Sequence, residues 1–174
     1  MTRDELARRI AETAVLHGSF TLRSGRKSSF YIDKYLFLSQ PRILAELGRM
    51  IAARLPEGTT RLAGAELGGI PLLAAASMAS DLPCVFVRNS RKGYGTGRQL
   101  EGPIEASDHV VIVEDVTTSG GQAIEAAKVV IETGAAVERI IATIDRQEGA
   151  REKIEAAGFA FESLFTVDEL GIKK

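Results

Sequence analysis

The sequence feature that most constrains the fold is a run of four apolar residues, Val110–Val113, with no polar residue between them. A strand that buries one face alternates apolar and polar residues, whereas a strand of a parallel sheet covered by helices on both faces is apolar throughout. Similar short runs alternate with helical patterns from residue 61 to residue 166. This order predicts βαβ crossovers and therefore an α/β fold, with a parallel β-sheet core flanked by helices.

Apolar periodicity, capping residues and glycine or proline stops give the expected elements. The first helix begins after Thr2, which has Glu5 at capping-box spacing, and it ends at His17 and Gly18. The remaining expected elements are a hairpin with strands 20–22 and 29–33, a helix over 41–55, core strands at 61–65, 84–87, 109–113, 137–144 and 159–166, and core helices at 70–80, 119–132 and 149–157.

The length of 174 residues suits one domain. We assign the helix and hairpin of residues 1–38 to a small attachment, and residues 39–174 to the α/β core. A loop at about 89–107 interrupts the core without apolar periodicity, and loops of this length are usually functional or disordered. We therefore expect a single domain over residues 1–174 with one mobile loop.

Composition argues against several classes of function. The chain has 22 Lys and Arg against 23 Asp and Glu, a net charge of −1, which disfavours a general binder of nucleic acid or of membrane surfaces. One cysteine and two histidines argue against a disulfide, a cysteine-rich zinc site and a histidine metal centre. No apolar stretch approaches the ~20 residues of a membrane span, and no signal peptide is recognisable. We expect a cytoplasmic protein with no nucleic-acid or membrane partner and no metal site of its own.

The segment with the clearest chemical signature is residues 110–122. A buried strand is expected to end at Glu114 and Asp115, and the hydroxyl and glycine residues of Thr117–Gly121 lead into a helix. Unpaired N–H groups at a helix start suit a phosphate, and ligands of open α/β sheets bind at the carboxyl ends of strands. Two carboxylates beside a phosphate are explained if the ligand also carries sugar hydroxyls or Mg²⁺. The alternative is a polar strand end followed by an ordinary helix cap.

Two familiar phosphate motifs do not occur in the sequence. It contains neither G-x-x-x-x-G-K-[ST] nor a G-x-G-x-x-G after a strand, which disfavours a P-loop NTPase and a dinucleotide-binding domain. The loop between the second and third core strands offers a different anion site, because it is rich in glycine and carries Arg88, Arg91, Lys92 and Arg98 before its first acid. Such a loop suits a lid over a polyanion, and the alternative is a solvated loop with incidental charge.

Residues 110–122 resemble the binding motif for phosphoribosyl pyrophosphate (PRPP) of the type I phosphoribosyltransferases. The resemblance covers essentially the whole chain, and residues 20–33, 88–102 and 145–148 are similar to those of the family's orotate-specific members. It implies a type I phosphoribosyltransferase fold in which residues 1–38 form a hood over the ligand. The activity it implies is transfer of the ribosyl 5-phosphate of PRPP to orotate, giving orotidine 5′-monophosphate and pyrophosphate, in de novo pyrimidine (UMP) biosynthesis. It also implies Mg²⁺ bound mainly through PRPP, and a homodimer whose loop is shared between subunits.

The resemblance also implies roles for individual residues. Asn89 and Tyr94 stand where many members carry lysine and histidine, and Gly68 stands where many orotate enzymes have a lysine nearby. The implied catalytic residues are Lys92, Arg88 and Asp115; the implied PRPP-binding residues are Arg88, Lys92, Glu114, Asp115, Val116, Thr117, Thr118, Ser119, Gly120, Gly121 and Gln122; the implied orotate-binding residues are Thr118 and Arg146; further candidates are Arg23, Gly68 and Gly69.

Two alternative functions remain open at the level of sequence. A purine phosphoribosyltransferase would share the PRPP motif, because that motif recognises PRPP and not the base; the hairpin at 20–33 and Arg146 favour orotate. A PRPP-sensing regulator would keep the fold without catalysis. Such a regulator is expected to carry a basic face for nucleic acid, and the near-neutral charge offers none outside the loop.

Overall fold

The computed structural model describes residues 1–21, 27–90 and 99–172. The alternation of strands and helices expected after residue 61 is confirmed. In chain order the elements are α1 (Arg3–Ala14), β1 (Val15–Thr21), β2 (Lys27–Ile32), α2 (Lys34–Leu38), α3 (Pro41–Ala52), β3 (Arg61–Ala65), α4 (Gly69–Ser80), β4 (Cys84–Val87), β5 (Leu100–Glu101), β6 (His109–Thr117), α5 (Gly121–Ile131), β7 (Ala136–Asp145), α6 (Ala150–Ala156) and β8 (Phe161–Thr166).

A six-stranded sheet in the order β5-β4-β3-β6-β7-β8 forms the centre of the molecule. The strands from β4 to β8 in this order are parallel neighbours, and β5 pairs antiparallel with β4. The chain proceeds from β3 outward to β4 and then returns to place β6 on the other side of β3. Strand order therefore reverses between β3 and β6, and open α/β sheets bind ligands at the carboxyl ends of the strands at such a point.

Helices cover both faces of this sheet, as the apolar run of β6 predicts. The side chains of Val110–Val113 have no exposed surface. Val111 and Val113 lie in one apolar cluster with Leu72 and Leu73 of α4. The alternate residues of the same strand, Val110 and Ile112, lie in a second cluster with alanines of α5. Because successive side chains of a strand point to opposite faces, each of these two clusters covers one face of the sheet.

The N-terminal segment differs from the sequence expectation in two ways. The capping box of Thr2 and Glu5 is present, but α1 ends at Ala14, so His17 and Gly18 lie within β1 instead of closing the helix. The chain becomes extended there because β1 pairs antiparallel with β2 as the expected hairpin. The sequence also missed the short helix α2, which starts where the Asp33 side chain accepts a hydrogen bond from the backbone N–H of Tyr35.

Three boundaries in the core also differ from expectation. β6 does not end before Glu114 but continues to Thr117, because residues 114, 116 and 117 remain paired with β7. α5 begins at Gly121, two residues late, because Gly120 has a left-handed backbone with φ of 72°. β5 was missed within the polar loop region, where Leu100 is buried against the core. Among the described residues, none of the helices has the length and apolar character needed to cross a membrane.

Candidate active site

Three segments with predicted functional residues come together at the carboxyl edge of the sheet. Gly68 and Gly69 follow β3, the acid pair and the turn Thr117–Gly121 lie at the end of β6, and Arg146 follows β7. The last two segments are tied together, because the backbone N–H of Arg146 donates to the carbonyl oxygen of Thr117 over 2.9 Å. The fold thus gathers these residues at the point where strand order reverses.

The acid pair at the end of β6 is buried. Glu114 is 5% exposed and Asp115 is 2% exposed. Oε1 of Glu114 accepts a hydrogen bond of 3.1 Å from the Asp115 backbone N–H, whereas Oε2 has no hydrogen-bond partner among the described residues. Burial, reinforced by the charge of Asp115, raises the pKa of Glu114 to about 8. Near neutral pH the pair therefore carries one negative charge more readily than two.

A lysine that sequence reasoning missed contacts this pair. Nζ of Lys34, the first residue of α2, lies 2.7 Å from Oδ2 of Asp115. Burial acts to lower the pKa of Lys34, but its hydrogen bond to Asp115 and the negative charge there outweigh burial and raise the pKa above its ordinary value. Lys34 directly follows the segment 30–33 that resembles the orotate enzymes. Nothing in its local sequence indicates that it reaches the end of β6.

The glycines of the turn after β3 are required by close packing. A Cβ atom on Gly68 would lie 1.6 Å from Oδ2 of Asp115 and 2.9 Å from Cε of Lys34. A Cβ on Gly69 would lie 3.2 Å from the backbone oxygen of Val113, a contact tighter than most. The turn was predicted as a candidate backbone contact for pyrophosphate, and the structure brings it against the acid pair.

The turn between β6 and α5 combines buried and accessible groups. Thr117 is buried and its hydroxyl donates to the Ile144 carbonyl oxygen at 3.4 Å, whereas Thr118 is half-buried and Ser119 is exposed. α5 begins without a side-chain hydrogen bond at its N-cap, Gly120. A Cβ on Gly120 would lie 2.8 Å from Cγ1 of Ile154. The start of an 11-residue helix therefore faces this turn without a side-chain cap, which is the arrangement that binds a phosphate.

Gln122 links this turn to two other segments. Its Nε2 donates to the backbone oxygen of Glu66 at 3.2 Å and to Oδ1 of Asn89 at 3.4 Å. The backbone N–H of Asn89 in turn donates to Oε1 of Glu66 over 2.7 Å. Asn89, one of the two departures from the family pattern within the long loop, thus joins the base of that loop to the turns after β3 and β6. Val116 is half-buried beside this turn.

Arg88 lies at the base of the long loop. Its backbone N–H donates to the carbonyl oxygen of Gln99 at 2.9 Å, and its guanidinium NH1 lies 3.8 Å from Oε1 of Glu101. Nε of Arg88 is buried without a hydrogen-bond partner among the described residues. Lys92, Tyr94 and Arg23, which the sequence also singled out, lie outside the described residues.

Arg146 meets the N-terminal hairpin. It is 6% exposed, and Nε donates to Oε1 of Glu148 over 2.8 Å. Its guanidinium carbon lies 5.0 Å from the centroid of the Phe30 ring, a cation–π arrangement. The sequence singled out the segment 30–33 and Arg146 separately, and the structure brings Phe30 and Arg146 into contact where the hood meets the end of β7.

The acid pair Glu114 and Asp115 could also contribute ligands to a metal ion. Within residues 1–21, 27–90 and 99–172, no group of three or more His, Cys, Asp or Glu side chains has the arrangement of a metal site. Carboxylate oxygens are ligands that Mg²⁺ prefers, and the unpartnered Oε2 of Glu114 is one such oxygen. Two adjacent carboxylates supply only part of an octahedral shell, so this donor set fits a metal ion that arrives with phosphate oxygens of its own.

Comparison with known proteins assigns the class. The family profile described as "Phosphoribosyl transferase domain" matches residues 37–169. The chain is 45% identical over 167 residues to the orotate phosphoribosyltransferase of Methanocella arvoryzae, a match that covers 95% of both proteins. The chain belongs to the phosphoribosyltransferase family, and the predicted fold and family resemblance are confirmed.

Solved structures identify the subgroup within this family. Orotate phosphoribosyltransferase from Mycobacterium tuberculosis, in complex with Fe(III) dicitrate, superposes with a TM-score of 0.85 at 32% identity, covering 98% of this chain and 99% of that one. A second structure of the same enzyme, in complex with PRPP, gives a TM-score of 0.80 at 30% identity, covering 98% of this chain and 99% of that one. Within its family, the chain is a member of the orotate phosphoribosyltransferases, which are pentosyltransferase enzymes.

Proposed function

We propose that the protein transfers the ribosyl 5-phosphate of PRPP to orotate, giving orotidine 5′-monophosphate and pyrophosphate in pyrimidine (UMP) biosynthesis, and that the predicted residues carry out the reaction. The observation that carries the proposal is the buried pair Glu114 and Asp115, which lies beside the uncapped start of α5. A ligand that fits both features carries a phosphate for the helix start and hydroxyl groups for the carboxylates. A ribosyl phosphate has both.

The reaction requires charge stabilisation more than proton transfer. A ring nitrogen of orotate attacks C1′ of the ribose, the bond from C1′ to the pyrophosphate oxygen breaks, and pyrophosphate leaves with the bonding electrons. Positive charge develops on the sugar and negative charge on the leaving group. Because the orotate ring nitrogen can ionise by itself, no strong protein base is needed. The task of the protein is to align the substrates and to stabilise these charges.

Each segment of the site is then assigned to one part of PRPP. The turn Thr117–Gly121, with Gln122 behind it, holds the 5-phosphate at the start of α5. Glu114 and Asp115 accept hydrogen bonds from the ribose hydroxyls. Arg88 and Lys92 contact the pyrophosphate, joined by the backbone of Gly68 and Gly69. In this proposal, C1′ lies between the acid pair and the orotate position.

Orotate is held by the region where the hood meets β7. Arg146 pairs with the orotate carboxylate, which suits a guanidinium because two parallel N–H···O bonds are possible. Phe30 and Glu148 hold that guanidinium in place. Thr118 contacts orotate from the turn after β6, and Arg23 of the hairpin is a further candidate.

Mg²⁺ is proposed to be bound mainly through PRPP, and it would supply positive charge against the pyrophosphate. Glu114 and Asp115 are the residues that would hold it from the protein side. The protein is further proposed to act as a cytoplasmic homodimer with the long loop shared between subunits. Cytoplasm is favoured because a substrate with several phosphate charges does not cross a membrane unaided.

Measuring pyrophosphate release tests this function directly. The protein is incubated with PRPP, Mg²⁺ and one nucleobase at a time: orotate, hypoxanthine or adenine. Turnover with orotate alone supports the proposal, and turnover with a purine instead assigns the protein to the purine enzymes. Heat of PRPP binding in calorimetry without turnover on any base would identify a regulator.

Mixing two inactive variants tests the shared loop. In a dimer with trans loops, a subunit with Lys92→Ala still has an intact acid pair, and a subunit with Asp115→Asn still has an intact loop. A one-to-one mixture then regains about a quarter of the wild-type activity, because half of the dimers carry one complete site. A mixture with no activity excludes a loop that acts in trans.

A further inference from the structure

The roles proposed above leave one ion pair unused, the contact between the hood and the acid pair. We propose that Lys34 is a positioning residue for PRPP, whose ammonium group holds the Asp115 carboxylate in place for the ribose hydroxyls. This inference deepens the proposed function and rests on it. It makes residues 1–38 part of the PRPP site as well as the orotate site.

Both oxygens of the Asp115 carboxylate are held in the structure. Oδ1 accepts a hydrogen bond from the backbone N–H of Val116, the next residue of β6. Oδ2 lies 2.7 Å from Nζ of Lys34. A charge-assisted hydrogen bond of this length is stronger than a neutral one. Lys34 therefore fixes the half of the carboxylate that the backbone of β6 leaves unrestrained.

Packing around the pair allows little other arrangement. The space that a side chain at position 68 would fill is occupied by Oδ2 of Asp115 and by Cε of Lys34, at 1.6 Å and 2.9 Å from an ideal Cβ. The turn after β3 thus closes over the contact, and Gly68 is the residue that leaves room for it. A lysine that only lay on the surface would not require a glycine at position 68.

The charge of Lys34 also matches the ligand. The Asp115 side chain is 3% exposed, so its negative charge has little solvent to stabilise it. The Lys34 side chain is 32% exposed and remains accessible from outside the pair. PRPP brings several negative charges to this position, and a cation beside the buried acids reduces their repulsion. Loss of Lys34 is therefore expected to weaken the binding of PRPP more than the binding of orotate.

Steady-state kinetics of Lys34→Met test the inference. The KM for PRPP is expected to rise about ten- to a hundredfold, the scale of a hydrogen bond to a charged group, with the KM for orotate unchanged. Lys34→Arg keeps the charge and is expected to recover part of the PRPP affinity. Lys128→Met is the matched control, because Lys128 pairs with Glu125 over 2.8 Å on the outside of α5. An unchanged KM for PRPP in Lys34→Met overturns the inference, as does an equal rise in both KM values.

A double-mutant cycle separates action through Asp115 from a general effect on the hood. If Lys34 acts through Asp115, the double variant Lys34→Met with Asp115→Asn binds PRPP no more weakly than Asp115→Asn alone. Fully additive losses overturn the inference. PRPP affinity is also measured by calorimetry without orotate, so that the role of Lys34 is tested even if the acceptor base is not orotate. Absence of turnover by the wild-type enzyme would count against the proposed function alone.

Discussion

Asp115 and Gly68 share one small space, because a Cβ atom at position 68 would lie 1.6 Å from Oδ2 of Asp115. Gly68 lies in the turn after β3 and Asp115 lies near the end of β6, and these two strands are neighbours across the point where strand order reverses. The glycine is therefore required by the position of the Asp115 carboxylate and not by backbone conformation, since its φ is −70°.

Gly68→Ala is expected to disable the PRPP site while leaving the sheet intact. The added methyl group forces the Asp115 carboxylate to turn away from Lys34. Overpacking of this kind costs about 1–3 kcal/mol in the free energy of unfolding. We expect kcat/KM for PRPP to fall at least about tenfold, the value of one charged hydrogen bond. Wild-type kinetics in Gly68→Ala would show that the close approach is irrelevant.

The raised pKa of Glu114 predicts how stability depends on pH. The pKa is about 8 in the folded protein, above the ordinary 4.5, so unfolding between these values releases a proton. Stability conferred by the protonated carboxyl is complete below pH 4.5 and is lost as pH rises toward 8, by at most about 1.4 kcal/mol per pH unit. Glu114→Gln removes the ionisable group and is expected to flatten the fall of Tm over this range. Identical slopes for the variant and the wild type would assign the titration to another group.

Lys92→Ala tests the proposed role of the long loop. One preorganised donor to a developing negative charge is worth ~10²–10³ in kcat. We expect a loss of that size, with a normal circular dichroism spectrum. Lys128→Ala, which removes an exposed lysine of α5, is the control. A near-normal kcat for Lys92→Ala would remove Lys92 from the mechanism.

Arg146→Lys is expected to raise the KM for orotate while leaving the KM for PRPP unchanged. Lysine keeps the charge but cannot form two parallel hydrogen bonds, and a loss of about tenfold or more is expected. The chain provides a matched control in Arg151→Lys, because Arg151 also stacks 5.0 Å from an aromatic ring, that of Phe161, and contacts Glu155 at 3.1 Å. If both variants keep wild-type affinity for orotate, the carboxylate of orotate is bound elsewhere.

The sequence could predict those parts of the fold that depend on local pattern. Val110–Val113 indicated a strand buried on both faces, and the structure confirms it. The capping box at Thr2 and Glu5 indicated the start of α1 correctly. Boundaries that depend on pairing partners were less accurate. β6 extends to Thr117 because β7 continues beside it. The sequence of β6 alone does not indicate how far this pairing extends.

The candidate site was predictable only as separate pieces. Glu114 and Asp115 were identified from their position at the end of a predicted strand, and Arg146 was identified through the family resemblance. The contact between Lys34 and Asp115 joins residues 81 positions apart, and the contact between Phe30 and Arg146 joins residues 116 positions apart. Such contacts depend on how the hood packs on the core, which a single sequence does not encode in any short segment.

The match to the phosphoribosyl transferase domain begins at residue 37, so Phe30 and Lys34 both precede it. Grafting the matched segment alone onto another protein would carry over the sheet and the glycine turns but leave behind a contact to each predicted substrate region. Exchanging the first 36 residues between this chain and a relative is consequently expected to change the binding affinity for both substrates. Under the proposed function, the N-terminal segment therefore contributes to the binding of both substrates, although it lies outside the family match.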